Sequence, residues 1–407
     1  MLRIPEILLP EVKGTVQLPS SKSISHRLMI IRALAPQPIE LINLSDSNDT
    51  VLLSKALLHT NDTVNFEDAG TPMRFFLAYA ALKNLPVTIT GTDKLQQRPI
   101  APLINALRQL GAVIESIGGN DQLPLRIVKG VDLNATTVTI DSGMSSQFIS
   151  ALLLIAPCFT NGLTIVQEGA MNSEPYITMT ITAMQQCGVK VKIVNNVYHI
   201  ENGNYQFTQP IVVESDWSAA TFLYAIASVA KNADIFLPHL KFPSIQGDSA
   251  AVVLFSKLGV NSTWDKDGIR IQSNDTCVTE LEVDFTNIPD MFPAVIAVCV
   301  FKGIPLRCKG IANLPHKESN RIAAMQENLI QVGAQFQTIS DNELLVKVGN
   351  TQTGTYTFKS FSDHRIIMAC SIFAFKHTIT IDDETHVKKS FPAYWECLQQ
   401  LGIIIEK

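Results

Sequence analysis

The hydrophobic positions of the chain form a pattern that recurs about every seventy residues. At five places an amphipathic run with helical spacing ends in a glycine, and a short run typical of a β-strand follows. A glycine just past a helix supplies the left-handed conformation that turns the chain into a strand. The regular spacing argues against chance recurrence and predicts six copies of one α/β unit. The glycines are Gly111, Gly188, Gly259, Gly333 and Gly402, and Asn61 has the same place in a weaker sixth copy.

A second pattern precedes many of the helical runs. A β-like run ends in a short polar turn that opens a helix, as in TVTID before SGMSSQFISALLLIAP and TYTFKS before FSDHRIIMACSIFAF. Serine and aspartate at such starts are ordinary N-cap residues. No linker or low-complexity stretch separates the copies, which permits a domain assembled from distant parts of the chain.

Composition narrows the class of protein. The chain has 407 residues, of which 46% are hydrophobic and 17% charged, and its net charge is −5. This length suggests two or three domains. The absence of a basic tail or face argues against a nucleic-acid partner. The longest apolar runs, 149–159 and 291–301, are too short to span a bilayer, and the N-terminal stretch makes a poor signal peptide. We therefore expect a cytoplasmic protein without a membrane partner.

Seven scattered cysteines, with no C-x-x-C pair, suggest neither a disulfide framework nor a zinc site. Reduced thiols in a cytosolic protein are the simple interpretation. No two histidines have metal-ligand spacing. The chain also lacks a G-x-S-x-G elbow and a G-x-G-x-x-G segment, which argues against hydrolase and dinucleotide-binding functions.

Basic residues stand at predicted helix starts, where the helix dipole disfavours them. One such residue would be unremarkable, but five cases suggest that small anions bind there, because helix N-termini with nearby cations are anion sites. The segment LPSSKS lacks the glycines of a P-loop, so a nucleotide site is not predicted. Asp363 beside His364 is interpreted as an ordinary cap. The basic positions are Lys22 and Arg27, Arg74, Lys317 and Arg321, His364 and Arg365, and Lys388 and Lys389.

Ten or more short segments together resemble the 5-enolpyruvylshikimate-3-phosphate synthase family of enolpyruvate transferases. They occur in family order over essentially the whole chain and include LPSSKSISHR, DAGTPMR, SSQF, SEPYI, IQGD, NIPD, HKESNR and DHRIIMA. The resemblance implies a mixed α/β fold, a two-domain inside-out α/β barrel built from six βαβαββ-type repeats, three per domain. Residues 20–213 would form the domain that binds shikimate 3-phosphate. Residues 1–19 and 214–407 would form a discontinuous domain that carries the acid/base residues and part of the phosphoenolpyruvate clamp.

The resemblance also implies an activity. The enolpyruvyl group of phosphoenolpyruvate would pass to the 5-hydroxyl of shikimate 3-phosphate by addition–elimination, with release of phosphate and without a metal or organic cofactor. Asp290, Glu318 and Lys22 would be catalytic. Shikimate 3-phosphate would contact Lys22, Ser23, Arg27, Ser145, Ser146, Gln147, Ser173, Tyr176, Asp290, Asn313 and Lys317. Phosphoenolpyruvate would contact Lys22, Gly70, Arg98, Gln147, Arg321, Arg365 and Lys389, with Thr71 and His364 in support.

Further expectations follow from the same resemblance. The protein would be a monomer whose partners are small anionic substrates, and the inhibitor glyphosate would compete with phosphoenolpyruvate. Some positions depart from the commonest family pattern, among them His26 in place of Asn. Two alternatives stay open: the sister transferase that acts on UDP-N-acetylglucosamine, which needs a cysteine in a glycine-rich loop, and an inactive anion-binding relative.

Overall fold

The chain divides into two compact units. The computed structural model describes residues 1–8, 11–58, 62–141, 143, 145–169, 173–207, 209–349 and 353–406. Unit 1 consists of Met1–Pro19 and Glu214–Lys407, and unit 2 consists of Ser20–Val213. Among the helices in these ranges, none combines the length and the apolar character needed to cross a membrane.

Both units contain strands and helices interspersed along the chain. The strands are β1 (Leu2–Ile4), β2 (Val12–Thr15), β3 (Leu41–Ile42), β4 (Thr63–Asn65), β5 (Thr88–Thr90), β6 (Val113–Ser116), β7 (Leu125–Lys129), β8 (Thr137–Asp141), β9 (Leu163–Glu168), β10 (Val191–Val194), β11 (Val197–Ile200), β12 (Ile211–Val212), β13 (Ala233–Pro238), β14 (Val260–Trp264), β15 (Gly268–Ser273), β16 (Leu281–Asp284), β17 (Leu306–Lys309), β18 (Ala334–Ser340), β19 (Glu343–Val348), β20 (Thr355–Phe358) and β21 (Thr378–Ile381). The helices are α1 (Lys22–Leu34), α2 (Asn48–Leu58), α3 (Gly70–Leu82), α4 (Asp93–Gln96), α5 (Ala101–Gln109), α6 (Ser146–Ile155), α7 (Glu174–Gln186), α8 (Trp217–Val229), α9 (Ala251–Ser256), α10 (Phe292–Lys302), α11 (Arg321–Ile330), α12 (His364–Cys370) and α13 (Tyr394–Gln400).

Four sheets repeat one topology. In each sheet two strands pair in parallel. The second of them also pairs, antiparallel, with the later strand of a β-hairpin. Unit 2 contains the orders β4-β5-β7-β6 and β8-β9-β11-β10, and unit 1 contains β2-β13-β15-β14 and β16-β17-β19-β18. A fifth sheet, β20-β21-β1, ends in a bridge between Arg3 and Glu406. The remaining strands, β3 and β12, form a parallel pair. The predicted mixed α/β class is confirmed.

The five glycines that mark the sequence repeat have the predicted conformation. Each lies between a helix and the strand or extended segment that follows, and the φ angles of all five fall between 82° and 93°. Residues with a side chain rarely adopt this region, whereas glycine does so without a steric penalty. The sixth position, Asn61, lies outside the described residues.

Three helices form the centre of each unit. In unit 2 these are α1, α3 and α6, and in unit 1 they are α8, α10 and α12; within each unit they pack against one another. Ten of the eleven residues of α10 are buried, which explains the apolar run at 291–301 as core. Lys22 begins the central helix α1, and His364 and Arg365 begin the central helix α12. Arg27 and Arg74 lie one turn further into α1 and α3.

One sequence expectation about helix starts is wrong. Lys388 and Lys389 do not open a helix; they end a short 3₁₀ segment, Glu384–Lys389, whose start is capped by Asp383 through the backbone N–H of Thr385. The following helix, α13, begins only at Tyr394, after Phe391 and Pro392. The 3₁₀ segment nevertheless packs against α12, the helix that carries Arg365.

Candidate active site

In unit 1 one buried arginine gathers three carboxylates. The side chain of Arg321 is fully buried at the start of α11. Its Nη1 lies 2.7 Å from Asp290 Oδ1, its Nη2 2.8 Å from Glu318 Oε2 and its Nε 3.1 Å from Asp363 Oδ2. Arg365 in α12 donates to the other oxygen of Asp290 at 2.9 Å. We call these five residues the arginine–carboxylate cluster.

The charges in this cluster keep Asp290 ionised. Burial by itself raises the pKa of Asp290, but the cations of Arg365, Arg321 and Lys317 outweigh it and lower the pKa well below its usual range. Burial likewise lowers the pKa of Arg321, and the carboxylates of Asp363, Glu318 and Asp290 more than reverse this effect. Asp363 also caps α12, as predicted from the sequence, by accepting from the N–H of Arg365 at 3.0 Å.

A further carboxyl group, which is not among the site residues predicted from the sequence, lies beside the cluster. Asp248 is buried at 3% exposure; its Oδ2 accepts a hydrogen bond from Ser218 in α8, and its Oδ1 has no hydrogen-bond partner among the described residues. Burial, together with the charge of Asp290, raises the pKa of Asp248 to about 7. The available sequence signal was its place in the IQGD segment.

The raised pKa of Asp248 predicts a pH-dependent stability. An unfolded aspartate titrates near ~4. The folded protein therefore binds more protons than the unfolded chain between about pH 4 and 7, and its stability falls as pH rises through that window. We expect Asp248→Asn to flatten the profile of Tm between pH 5 and 8. Asp341→Asn, at an exposed turn, should leave the wild-type profile. Parallel profiles for Asp248→Asn and wild type would show that Asp248 does not titrate there.

The other predicted residues of unit 1 lie near this cluster in sequence or space. Lys317 acts electrostatically on Asp290. Asn313 lies directly before the 3₁₀ turn Leu314–His316, and its buried Oδ1 lacks a hydrogen-bond partner within the described part of the chain. His364 is buried at the first position of α12, with its Nδ1 3.7 Å from Asp363. Lys389 is half-buried on the segment that packs against α12.

In unit 2, Lys22 pairs with a carboxylate that is not among the residues predicted from the sequence. Lys22 is the first residue of α1, and its Nζ lies 2.9 Å from Asp49 Oδ2 in the first turn of α2. Both side chains are largely buried, at 15% and 7% exposure. The pairing joins residues 27 positions apart, so no local sequence signal could have indicated it.

Arg27 is buried and donates hydrogen bonds to residues that are predicted to bind substrate. It donates to Thr180 Oγ1 at 2.7 Å, to the carbonyl of Ser23 at 2.8 Å and to the carbonyl of Tyr176 at 3.0 Å. Its guanidinium also lies over the ring of Phe75. Burial lowers its pKa to about 10, which leaves it charged at neutral pH. Arg27 thus ties the start of α1 to α7.

Ser173 stands out by its backbone. It is buried directly before α7 and adopts a left-handed conformation with φ 59°. Such strain in a residue with a side chain concentrates at functional sites.

Ser145 has an ordinary role as the N-cap of α6, where its hydroxyl accepts from the N–H of Gln147 at 3.3 Å. Ser146, the first residue of that helix, is buried.

Two arginines approach the first turn of α3 closely. A Cβ atom on Gly70 would lie 2.5 Å from Arg98 Nη1 and 2.9 Å from Arg74 Nη1. Arg74 in turn donates to Gln147 Oε1 at 2.7 Å, which links α3 to α6. A Cβ atom here would force these guanidinium groups to shift, whereas glycine leaves them room. Thr71 follows in the same turn and is half-buried. Like Asp248 and Asp49, Arg74 is not among the substrate-binding or catalytic residues predicted from the sequence.

Comparisons with known proteins agree with this picture. Residues 9–61 and 54–398 match the family described as EPSP synthase (3-phosphoshikimate 1-carboxyvinyltransferase). A 3-phosphoshikimate 1-carboxyvinyltransferase of Bacteroides fragilis is 39% identical over 97% of both chains, and one of Serratia proteamaculans is 32% identical over 96% of both. The structure of EPSP synthase from Acinetobacter baumannii matches all of this chain and 99% of its own, with a TM-score of 0.80 at 21% identity.

The structural likeness confirms the predicted two-domain inside-out α/β fold. The sequence matches span nearly the full length of both this chain and these relatives. The chain belongs to the EPSP synthase (3-phosphoshikimate 1-carboxyvinyltransferase) family.

Proposed function

We propose that this chain transfers the enolpyruvyl group of phosphoenolpyruvate to the 5-hydroxyl of shikimate 3-phosphate, with Asp290, Glu318 and Lys22 as its acid/base residues. Family membership supports the reaction. The arginine–carboxylate cluster is the observation that carries the residue roles, because it joins two acid/base candidates to two anion-binding guanidinium groups.

The reaction requires two proton transfers in the addition and one from C3 in the elimination. In the addition, the 5-oxygen bonds to C2 of phosphoenolpyruvate as its proton leaves, and C3 gains a proton. In the elimination, the bond from C2 to the phosphate oxygen breaks and C3 loses a proton. Asp290 handles the proton of the 5-hydroxyl, and Glu318 handles C3 with Lys22. Each positioned acid or base contributes roughly 10²–10⁴ in rate.

Substrate anions would compete with the carboxylates for the arginines. Arg321 and Arg365 both donate to Asp290, and a planar guanidinium also suits the carboxylate of phosphoenolpyruvate. When that carboxylate binds them, Asp290 loses part of the positive charge that lowers its pKa. Binding therefore makes Asp290 a stronger base at the step that needs one.

Unit 2 supplies the remaining proposed contacts. Lys22, Ser23, Arg27, Ser145, Ser146, Gln147, Ser173 and Tyr176 bind shikimate 3-phosphate in this proposal, with Asn313 and Lys317 of unit 1. Gly70, Arg98 and Gln147 join Arg321, Arg365 and Lys389 in binding phosphoenolpyruvate. In this proposal the reaction runs in the cytoplasm. The protein is a monomer, and sedimentation at micromolar concentration would test this oligomeric state.

No observation favours the sister transferase that acts on UDP-N-acetylglucosamine. That enzyme needs a cysteine in a glycine-rich loop. Five of the seven cysteines here are buried, and burial raises the pKa of Cys299 and Cys370 above the usual range, which makes these thiols unreactive. The exposed Cys277 lies in SNDTCVTE, which contains no glycine.

A coupled phosphate-release assay tests the proposed reaction directly. We expect phosphate release only when both shikimate 3-phosphate and phosphoenolpyruvate are present. UDP-N-acetylglucosamine in place of shikimate 3-phosphate should give none. If only the UDP-sugar supports phosphate release, the chain has the sister activity. If neither acceptor supports release, the chain is an inactive anion-binding relative.

A methyl group at Gly70 should weaken glyphosate more than phosphoenolpyruvate. In Gly70→Ala the new Cβ displaces the guanidinium of Arg98, which would otherwise lie 2.5 Å away. The longer inhibitor should suffer more from the altered space than the compact substrate, since a clash that acts on one ligand changes specificity. We expect the inhibition constant to rise by at least about tenfold more than the KM for phosphoenolpyruvate.

The matched control for this substitution is Gly203→Ala. A Cβ on Gly203, also in unit 2, would meet no atom within 4 Å, so both constants should keep their wild-type values. Titration of glyphosate at several concentrations of phosphoenolpyruvate measures both constants. Equal inhibition of Gly70→Ala and wild type would mean that Gly70 does not face the inhibitor.

A further inference from the structure

A buried histidine connects α1 to the turn that carries Asp49. His26 lies on α1 one turn after Lys22, and its side chain is completely buried. Its Nε2 is 3.1 Å from Thr50 Oγ1, the hydroxyl of the residue directly after Asp49. The helix that presents Lys22 is thereby hydrogen-bonded to the helix that presents its carboxylate partner.

This contact belongs to a network of buried hydroxyl groups. Thr50 Oγ1 lies 3.0 Å from Ser47 Oγ, and the N–H of Ser47 donates to Ser45 Oγ at 3.3 Å. The N–H of Ser45 donates in turn to Ser25 Oγ at 3.0 Å. The adjacent residues Ser25 and His26 therefore hold both ends of the segment 45–50. None of the residues in the network is more than 5% exposed.

The burial gives this network specificity. A buried polar group that loses its hydrogen-bond partner destabilises the fold, whereas an apolar side chain of similar shape needs no such partner. A buried network of this kind fixes one relative placement of the two elements it joins. Here the two elements are α1, with Lys22 at its first position, and the first turn of α2, with Asp49.

The imidazole of His26 is uncharged and acts through its hydrogen bond to Thr50. Burial lowers the pKa of His26 to about 3; Asp49 acts in the opposite direction, and Lys22 and Arg27 reinforce the lowering. The ring is neutral at physiological pH, so it adds no positive charge beside Lys22. A neutral imidazole still offers one ring nitrogen to Thr50.

We propose that His26, through Thr50, is a positioning residue that holds Asp49 where it pairs with the ammonium group of Lys22. The proposal rests on the function proposed above, since it makes the placement of a catalytic lysine depend on a side chain that does not contact substrate. His26 acts only through Thr50 and Asp49. Its loss should therefore matter only while Asp49 is present.

Two substitutions of His26 separate this role from simple packing. Glutamine places an amide at the reach of Nε2, whereas asparagine reaches only as far as Nδ1, so His26→Gln should keep the bond to Thr50 and His26→Asn should lose it. We expect His26→Asn to lower kcat by about tenfold, the effect of one lost buried hydrogen bond, and His26→Gln to stay within about twofold of wild type. Thr50→Val, which removes the hydroxyl from the other side, should behave like His26→Asn.

A double-mutant cycle tests the route through Asp49. In an Asp49→Asn background, His26→Asn should cost no further activity, because the two residues act as one unit. His377→Asn is the matched control: His377 is also a buried histidine, in unit 1, where its ring packs on Tyr356, and its replacement should leave kcat unchanged. A tenfold loss that persists undiminished in the Asp49→Asn background would overturn the proposal.

A readout independent of activity keeps this test separate from the test of function. Acylation of lysines by a water-soluble reagent, read by mass spectrometry, compares Lys22 with Lys190, whose side chain is 81% exposed. We expect labelling of Lys22 relative to Lys190 to rise at least about threefold in His26→Asn and Thr50→Val, as the pair with Asp49 loosens. His26→Gln and His377→Asn should show wild-type labelling. If wild type transfers no enolpyruvyl group, the proposed function fails, and unchanged labelling of Lys22 in His26→Asn would by itself refute the positioning role.

Discussion

Replacement of Asp290 by asparagine should lower kcat by about 10²–10⁴, the contribution of a positioned general base. The KM for phosphoenolpyruvate should not rise. Asp290 holds Arg321 and Arg365 at 2.7 and 2.9 Å, and a neutral amide competes less well for these cations than a carboxylate does. Phosphoenolpyruvate should therefore bind Asp290→Asn at least as tightly as wild type, so the loss of activity should come from kcat and not from weaker binding of this substrate.

A lower kcat without a rise in the KM for phosphoenolpyruvate distinguishes a general base from a merely structural carboxylate. Steady-state kinetics with both substrates varied measures it, and a thermal melt checks that the variant is folded. Asp341→Asn removes an exposed carboxylate of the same unit and should match wild type in both constants. Near-normal turnover in Asp290→Asn would exclude Asp290 from the proton transfers.

Replacement of Glu318 by glutamine should also lower kcat by about 10²–10⁴. In this case the affected atom is C3 of phosphoenolpyruvate, which takes a proton in the addition and returns one in the elimination. Turnover in D2O should therefore place deuterium at C3, and Glu318→Gln should slow this incorporation together with product formation. Mass spectrometry of the recovered substrate and product measures the incorporation.

Glu327→Gln is the control for this substitution. Glu327 lies on α11, the helix that begins at Arg321, but it is exposed and pairs with Lys359 at the surface. An exposed ion pair of this kind contributes little, so kinetics and deuterium incorporation should equal those of wild type. Deuterium incorporation at the wild-type rate in Glu318→Gln would assign the C3 proton to another group.

The repeat architecture could be predicted from the sequence because its signals are local. A glycine such as Gly188 or Gly333 marks the end of a helix by its own conformational freedom, within a few residues of the helix and the strand that it connects. The caps formed by Asp216 and Asp363 are equally local, since each accepts from an N–H two or three residues ahead. These features need no knowledge of how distant segments pack.

The contacts within the site could not be predicted because they join distant residues. Asp49 meets Lys22, and Arg74 meets Gln147, across 27 and 73 positions of sequence. Asp248 resembles any aspartate near a helix start until burial is known. The substrate roles given to the candidate residues remain predictions, since they depend on contacts with molecules that the fold alone does not specify.

The error at Lys388 and Lys389 has a physical cause. Two adjacent lysines before an aromatic run have the pattern of a basic helix start. The stronger local signal was Asp383, whose side chain accepts from the N–H of Thr385 and opens a tight turn six residues earlier. Because Pro392 disfavours helical backbone at the residue before it, α13 can begin only beyond this point, and the lysines end the preceding segment instead.

The parallel pairing of β2 with β13 sets an order in which the two units can fold while the chain is being synthesised on the ribosome. Strand β2 is made early, but its partner emerges only after the whole of Ser20–Val213 has been translated. Unit 2 is contiguous and can fold as it leaves the exit tunnel, as domains generally do during translation. β1 waits longer still, for β21. The nascent chain therefore carries two unpaired N-terminal strands through most of its synthesis, and unit 1 is completed last.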